Sequence, residues 1–147
     1  MQANFDQFGI SFQYPDNWTL EADSVMAGEA AVSVYSPGGA FWSVTVHEAH
    51  RDPTELVAAV IETIRGMYDE VDAEDTHEAI EGHPVSGCEI NFYCLDLTNT
   101  ARVSVIGSPR ATYLVMYQAE DREFCEVERV FQAMTTSLVR QSPWLRQ

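Results

Sequence analysis

Apolar and polar residues alternate over several short segments near the start of the chain, which is the pattern of half-buried β-strands. In one of these segments, Trp42, Val44 and Val46 fall on a single face. Turn-forming residues separate the segments, with Pro15-Asp16-Asn17 after the first and Pro37-Gly38-Gly39 before the last. The alternation predicts four strands, at 8–14, 18–22, 30–36 and 41–48.

The period then changes to 3.6 residues, which predicts a helix from Asp52 to about residue 69. Asp52 is a suitable N-cap, Pro53 suits the first helical position and Glu55 places an acid in the first turn. A second amphipathic helix is predicted over 121–140. Its apolar stripe consists of Phe124, Val127, Phe131, Met134 and Leu138.

Between the two helices lies an acid-rich stretch at 69–81, which we expect to be an exposed edge strand or a loop. Further strands are predicted at 84–95, 100–107 and 111–119. The order of strands, helix, strands and helix predicts a single α/β domain over residues 1–147. Its core is expected at about 8–138, followed by a loosely ordered tail at 141–147.

The charge is strongly negative, with 23 acidic and 8 basic residues and a formal net charge of −15. Nucleic acids and anionic membranes need a dense cationic surface, so neither is an expected partner. An acidic surface instead favours basic proteins or cations, or simply keeps the protein soluble. We also find neither a signal-like N-terminus nor an apolar run that could span a bilayer, so we expect a cytoplasmic protein without membrane insertion.

Three cysteines are present, at positions 88, 94 and 125. Cys88 and Cys94 share one predicted strand, where about 20 Å would separate them, too far for a disulfide. Both alternate with core residues and resemble small buried hydrophobes. Cys125 is flanked by acids that would not activate a thiol. We therefore expect three reduced thiols and no cysteine nucleophile.

Four residues are candidates for binding. His47 and His50 could contribute to a metal site near Asp52, but zinc needs three or four ligands and surface histidines are the alternative. Arg102, near Tyr113, could be a polar group in a pocket, or could form a salt bridge with a glutamate. Neither a calcium loop, a serine-nucleophile elbow nor a phosphate loop is found. The sequence thus predicts no catalytic residue, metal or cofactor.

Several short motifs resemble the PsbP-like family, which includes the extrinsic photosystem II protein and a Ran-binding nuclear-import factor. The segment from Phe12 to Trp18 is similar to that family's opening strand, turn and tryptophan. The turn at Ile80-Glu81-Gly82, the late strands from Arg102 to Val115 and the closing helix from Phe124 to Ser137 are also similar. The resemblance covers residues 8 to 138.

This resemblance implies an antiparallel sheet flanked by two main helices, an α/β/α sandwich that binds proteins rather than catalysing reactions. We therefore expect a non-enzymatic protein-binding module whose acidic surface steers a partner. An exposed sheet edge would also allow homodimer formation. Two alternatives remain, namely an adaptor or chaperone for a secreted cargo, and a small-ligand or metal-binding protein using His47 and His50.

Overall fold

The computed structural model describes residues 1–26 and 29–145, and the side chains in these ranges except at 23–26. Within them the chain forms nine strands and two helices. The strands are β1 (Gln2–Gln7), β2 (Ile10–Pro15), β3 (Thr19–Met26), β4 (Glu29–Tyr35), β5 (Phe41–His47), β6 (Asp69–Ile80), β7 (His83–Cys94), β8 (Leu97–Gly107) and β9 (Thr112–Glu120). The helices are α1 (Pro53–Met67) and α2 (Asp121–Gln141).

Seven of the strands form one antiparallel sheet in the order β3-β4-β5-β9-β8-β7-β6. The expected α/β fold is thereby confirmed. The acid-rich strand β6 lies at one edge of this sheet, as its composition indicated, and β3 lies at the other. A tight turn at Glu81-Gly82, both with positive φ, joins β6 to β7.

One face of the sheet packs against α2 and the small hairpin of β1 and β2. Trp42, Val44 and Val46 belong to this core, together with Phe12 of the hairpin and Phe131 of α2. Ser137 of α2 and Ser142, which caps the end of this helix, hold the hairpin in place. The backbone N–H of Gln13 donates to Ser137 Oγ at 2.9 Å, and that of Ser11 donates to Ser142 Oγ at 3.1 Å. Side chains of α2 and its C-cap therefore satisfy backbone groups that β2 does not pair with a strand.

The opposite face packs against α1, but only over part of its width. This smaller core includes Val57 and Ile64 of α1 with Ile90 and Phe92 of β7. The helix begins as predicted, because Asp52 Oδ1 accepts a hydrogen bond from the Thr54 backbone N–H at 3.0 Å. Its main contacts are with β6, β7 and β8.

Both ends of the chain differ from expectation. Strand β1 was not predicted, because in its sequence only Phe5 is buried and no alternation is visible. Residues 141–147 were expected to be a loosely ordered tail, yet Ser142 and Leu145 are buried, and Trp144 packs against the core. Residues 146 and 147 lie outside the described ranges. The core therefore extends from Phe5 to Leu145, beyond the expected 8–138.

Candidate functional site

The four candidate residues lie in different parts of the molecule. Tyr113 points into the core on the α2 side, where its hydroxyl donates a hydrogen bond to the backbone oxygen of Gly9. Burial raises the pKa of this phenol above its usual value, although Ser142 and Arg110 act in the opposite direction. Tyr113 therefore holds the β1–β2 turn against the sheet, and its ring is inaccessible to a ligand.

Arg102 lies on the same side of the sheet and forms salt bridges. Its Nε is 2.9 Å from Glu89 Oε1, its Nη1 is 3.3 Å from Glu128 Oε2, and its guanidinium lies over the Phe124 ring. Burial lowers the pKa of Arg102, but the interactions with Glu89 and Tyr117 together outweigh this effect and the pKa is raised. Arg102 therefore forms salt bridges with glutamates, which was one of the two interpretations of the sequence.

The two histidines differ in their exposure to solvent. His50 is exposed in the loop that follows β5, whereas His47 is 8 % exposed at the end of that strand. Among the residues that the structure describes, no group of three or more His, Cys, Asp and Glu side chains could hold a metal ion. No helix in these residues is long and apolar enough to cross a membrane.

His47 does, however, line a largely apolar groove, which we call the α1 groove. It lies where α1 leaves the sheet face uncovered, and it has a volume of about 550 Å³, within the size range of ligand pockets. Its floor comes from β4, β5 and β9 and its wall from α1. The lining residues are Glu29, Phe41, Thr45, His47, Leu56, Ala59, Val60, Thr63, Ile64, Met67, Tyr68, Leu114, Met116 and Gln118.

The direction of the groove follows from the contacts at its two ends. Near its start, α1 lies beside the His47 end of β5, because the Arg51 backbone N–H donates to Thr112 Oγ1 at 3.0 Å and Thr112 pairs with His47. At its other end, Tyr68 stacks on Phe92 of β7 with ring centroids 4.4 Å apart. The groove therefore runs parallel to α1.

The far end of the groove is open and aromatic. Met67 is 64 % exposed there, and Tyr35 of β4, which is 38 % exposed, lies beside Phe41 with ring centroids 6.2 Å apart. Large apolar side chains exposed together at the mouth of a concave surface are typical of binding sites rather than of ordinary protein surface. We therefore take the α1 groove as the candidate site.

The charged residue of the groove lies at its near end, beside His47. Glu29 is the one acidic or basic residue among the lining residues, apart from His47 beside it. His47 Nδ1 is 3.5 Å from Glu29 Oε2, longer than the roughly 2.7–3.2 Å of an ordinary hydrogen bond. Within the described part of the chain, this buried nitrogen has no hydrogen-bond partner.

The sequence contained only an indirect signal for this groove. The apolar stripe of α1 is wide: Val57 packs on the sheet, whereas Ile64 and the half-buried Leu56 and Val60 both contact this core and line the groove. Sequence alone cannot place the helix across the width of the sheet, so the surplus apolar positions could not be assigned to a site. His47 was selected because it is close to His50 in the sequence. The structure does not support a metal site shared by these two histidines.

Comparison with solved structures gives matches to the whole domain. Cyanobacterial PsbP (CyanoP) from Synechocystis superposes with a TM-score of 0.63 at 15 % sequence identity, covering 92 % of this chain and 90 % of that one. The fold is PsbP-like. At this level of identity the match concerns the fold alone, and the expected likeness to the Ran-binding factor stays a prediction.

Two other structural matches have lower TM-scores. LpqN of Mycobacterium tuberculosis, described as involved in cell envelope biogenesis, has a TM-score of 0.52 at 12 % identity over 85 % of this chain and 79 % of that one. A protein of unknown function from Pseudomonas aeruginosa has a TM-score of 0.51 at 11 % identity over 93 % and 95 % of the two chains. No family model and no curated protein matches the sequence.

Proposed function

We propose that this PsbP-like protein is a non-enzymatic module that binds an apolar segment of another protein in the α1 groove. The observation that carries the proposal is the groove itself, an open and largely apolar channel between α1 and the uncovered half of the sheet. A helix end such as Met67, with most of its side chain in water, gains stability when a partner covers it.

The dimensions of the groove suit a peptide segment. From Leu56 to Met67 the wall extends along α1 for about 16 Å, at 1.5 Å per helical residue. A length of about 16 Å corresponds to roughly five residues of extended chain or three turns of helix. The open mouth beside Tyr35 and Phe41 allows the segment to continue beyond the groove.

The charge of the chain supports the same proposal. A net charge of −15 steers a basic partner towards the protein and raises the rate of association more than the final affinity. The partner's apolar segment would then supply the affinity by burying the groove. An adaptor or chaperone that shields an apolar cargo segment is one form of this function.

The test uses two neighbouring alanines of α1 that are both exposed. Ala59 lines the α1 groove, whereas Ala58 lies outside it, in a separate depression near Asp75 and His77. The tagged wild-type protein, Ala59→Trp and Ala58→Trp are each recovered from their native cells after mild cross-linking, and co-purifying proteins are quantified by mass spectrometry.

We expect a partner that is enriched with the wild type and Ala58→Trp and lost with Ala59→Trp, because the indole would fill the groove. A partner retained by Ala59→Trp would contradict the proposal, as would the absence of any enriched protein. Circular dichroism of both variants checks that the fold is unchanged.

A further inference from the structure

The charged end of the α1 groove places the partly exposed carboxylate of Glu29 beside a buried imidazole nitrogen that has no hydrogen-bond partner in the described chain. His47 is 8 % exposed, and its Nδ1 has no hydrogen-bond partner among the described residues. Glu29 Oε2 is 3.5 Å from that nitrogen, a separation that leaves both atoms without a good mutual hydrogen bond. Leaving a buried polar atom unpaired is costly, so such atoms usually have a partner, which can be a ligand.

A donor within hydrogen-bond reach of both atoms would satisfy both, provided that the neutral imidazole carries its proton on Nε2. A neutral imidazole nitrogen without a proton and a carboxylate are both acceptors, and the group that complements a pair of acceptors is a multiple donor with positive charge. Lysine ammonium and arginine guanidinium groups are such donors, and their hydrogen bonds to carboxylates are charge-assisted. A carboxylate or phosphate group would instead face Glu29 with like charge.

The remainder of the groove restricts what can accompany this cation. Beyond Glu29 and His47 the lining is mainly aliphatic and aromatic, with Leu56, Val60 and Met116 among its members. The lining contains no Arg residue, so no side chain of the groove neutralises Glu29. A charge held next to an apolar surface interacts more strongly than one in open solvent.

We propose that the segment bound in the α1 groove carries a lysine or arginine at one end of its apolar stretch, and that this residue donates hydrogen bonds to Glu29 and His47. This inference rests on the proposed function and adds the chemistry of the partner. Glu29 and His47 are then specificity-determining residues, and the aromatic end at Phe41 receives the apolar end of the segment.

The experiment uses an array of immobilised decapeptides with acetylated N-termini and amidated C-termini. Nine positions are randomised among Ala, Ser, Val, Leu and Phe, and one terminal position, at either end, is Lys, Arg, norleucine or Glu. Because the peptide ends are blocked, that residue carries the only charge. Binding is measured for the wild type, Ala59→Trp, Glu29→Gln, Glu29→Lys and the control Glu62→Gln, which removes one exposed acid of α1 outside the groove.

We expect the wild type to prefer the Lys and Arg peptides over norleucine peptides by about tenfold, the scale of a charge-assisted hydrogen bond. Glu62→Gln should keep this preference, Glu29→Gln should lose it and Glu29→Lys should shift it towards the Glu peptides. His47→Phe, which removes the second acceptor, should also weaken it.

Three outcomes would overturn the inference, and they separate it from the proposed function. A preference for Lys that survives equally in Glu29→Gln and Glu62→Gln would reflect only the overall negative charge. Binding without a preference for Lys, but blocked by Ala59→Trp, would leave the groove as the site and refute the role of Glu29. Peptide binding that is insensitive to Ala59→Trp would refute both.

Discussion

The indole nitrogen of Trp42 donates a hydrogen bond to Thr135 Oγ1 at 3.0 Å, and both residues are buried. This bond joins β5 to α2 across the larger core. Residues of β5 alternate between the two faces of the sheet, so the strand that Trp42 anchors also presents Thr45 and His47 to the α1 groove. The position of the groove floor is therefore set from the opposite side of the sheet.

Thr135→Val should destabilise the protein by about 1–3 kcal/mol, because the buried indole N–H would lose its acceptor while the side-chain shape is kept. Urea denaturation monitored by tryptophan fluorescence measures the change in the free energy of unfolding. Thr136→Val, at a half-buried neighbouring position, serves as the control and should have a smaller effect. Equal stability of Thr135→Val and the wild type would show that the bond contributes nothing.

Two glycines should respond oppositely to alanine. A Cβ at Gly87 would collide with the backbone carbonyl oxygen of Val103 on the neighbouring strand, so Gly87→Ala should destabilise by about 1–3 kcal/mol or more. Gly66, in α1, has open space around its Cβ position, and Gly66→Ala should stabilise by about 0.5–1 kcal/mol. Thermal unfolding of the two variants measures both effects. A tolerated Gly87→Ala would mean that β7 and β8 are less closely paired than described.

The buried thiol of Cys88 should be unreactive in the folded protein. Burial, and secondarily the charge of Asp75, raises the pKa of this thiol to about 11 from 9.0. Iodoacetamide reacts with thiolates, so at pH 8 it should modify the exposed Cys125 and spare Cys88 until urea is added. Mass spectrometry of digested samples identifies the modified sites, and rapid native labelling of Cys88 would contradict its burial.

The same pKa shift has a consequence for stability. Because the folded thiol has the higher pKa, its contribution to stability is fully present below pH 9 and is lost as the pH rises from about 9 to about 11. The free energy of unfolding should therefore fall over this range in the wild type. Cys88→Ala, although less stable at neutral pH, should show a shallower fall in the free energy of unfolding than the wild type. An identical pH profile for the two proteins would contradict the attribution of this fall to Cys88.

Arg102 should matter for stability and not for binding. Arg102→Gln removes the contacts with Glu89 and Glu128, but the side chain is 33 % exposed, so we expect a loss of only about 0.5–1 kcal/mol. The exposed Arg122, which pairs with Glu120, provides the control, and Arg122→Gln should cost less. If Arg102→Gln abolished partner capture at unchanged stability, Arg102 would be a binding residue after all.

Most of the architecture could be predicted from sequence because local signals were strong. Asp52-Pro53 marked the start of α1, and the alternation through Cys88, Ile90 and Phe92 marked a buried strand. Strand β1 carried no such signal, since its stability comes from pairing with β2. The packing of Trp144 likewise depends on contacts distant in sequence. The Cζ atom of Arg110, for example, lies 4.5 Å from the centroid of its ring.

The candidate site was less accessible to sequence analysis. Glu29 and His47 are 18 positions apart and become neighbours only through the register of β4 and β5. Arg102 and Tyr113 were chosen for proximity along the late strands, yet both face the core that contains α2. A groove is defined by the part of the sheet that a helix leaves uncovered, and that depends on packing across the whole domain.

Site-specific photocross-linking from the α1 groove tests most directly whether a partner binds there. A benzoylphenylalanine placed at Ala59, or at Ala58 as the control, is activated by light in the native cells, and the adducts are mapped by mass spectrometry. If the α1 groove binds a partner, we expect one dominant protein that is linked from position 59 through an apolar segment and is absent from position 58. Equal adducts from both positions, or none from position 59, would contradict binding in the groove.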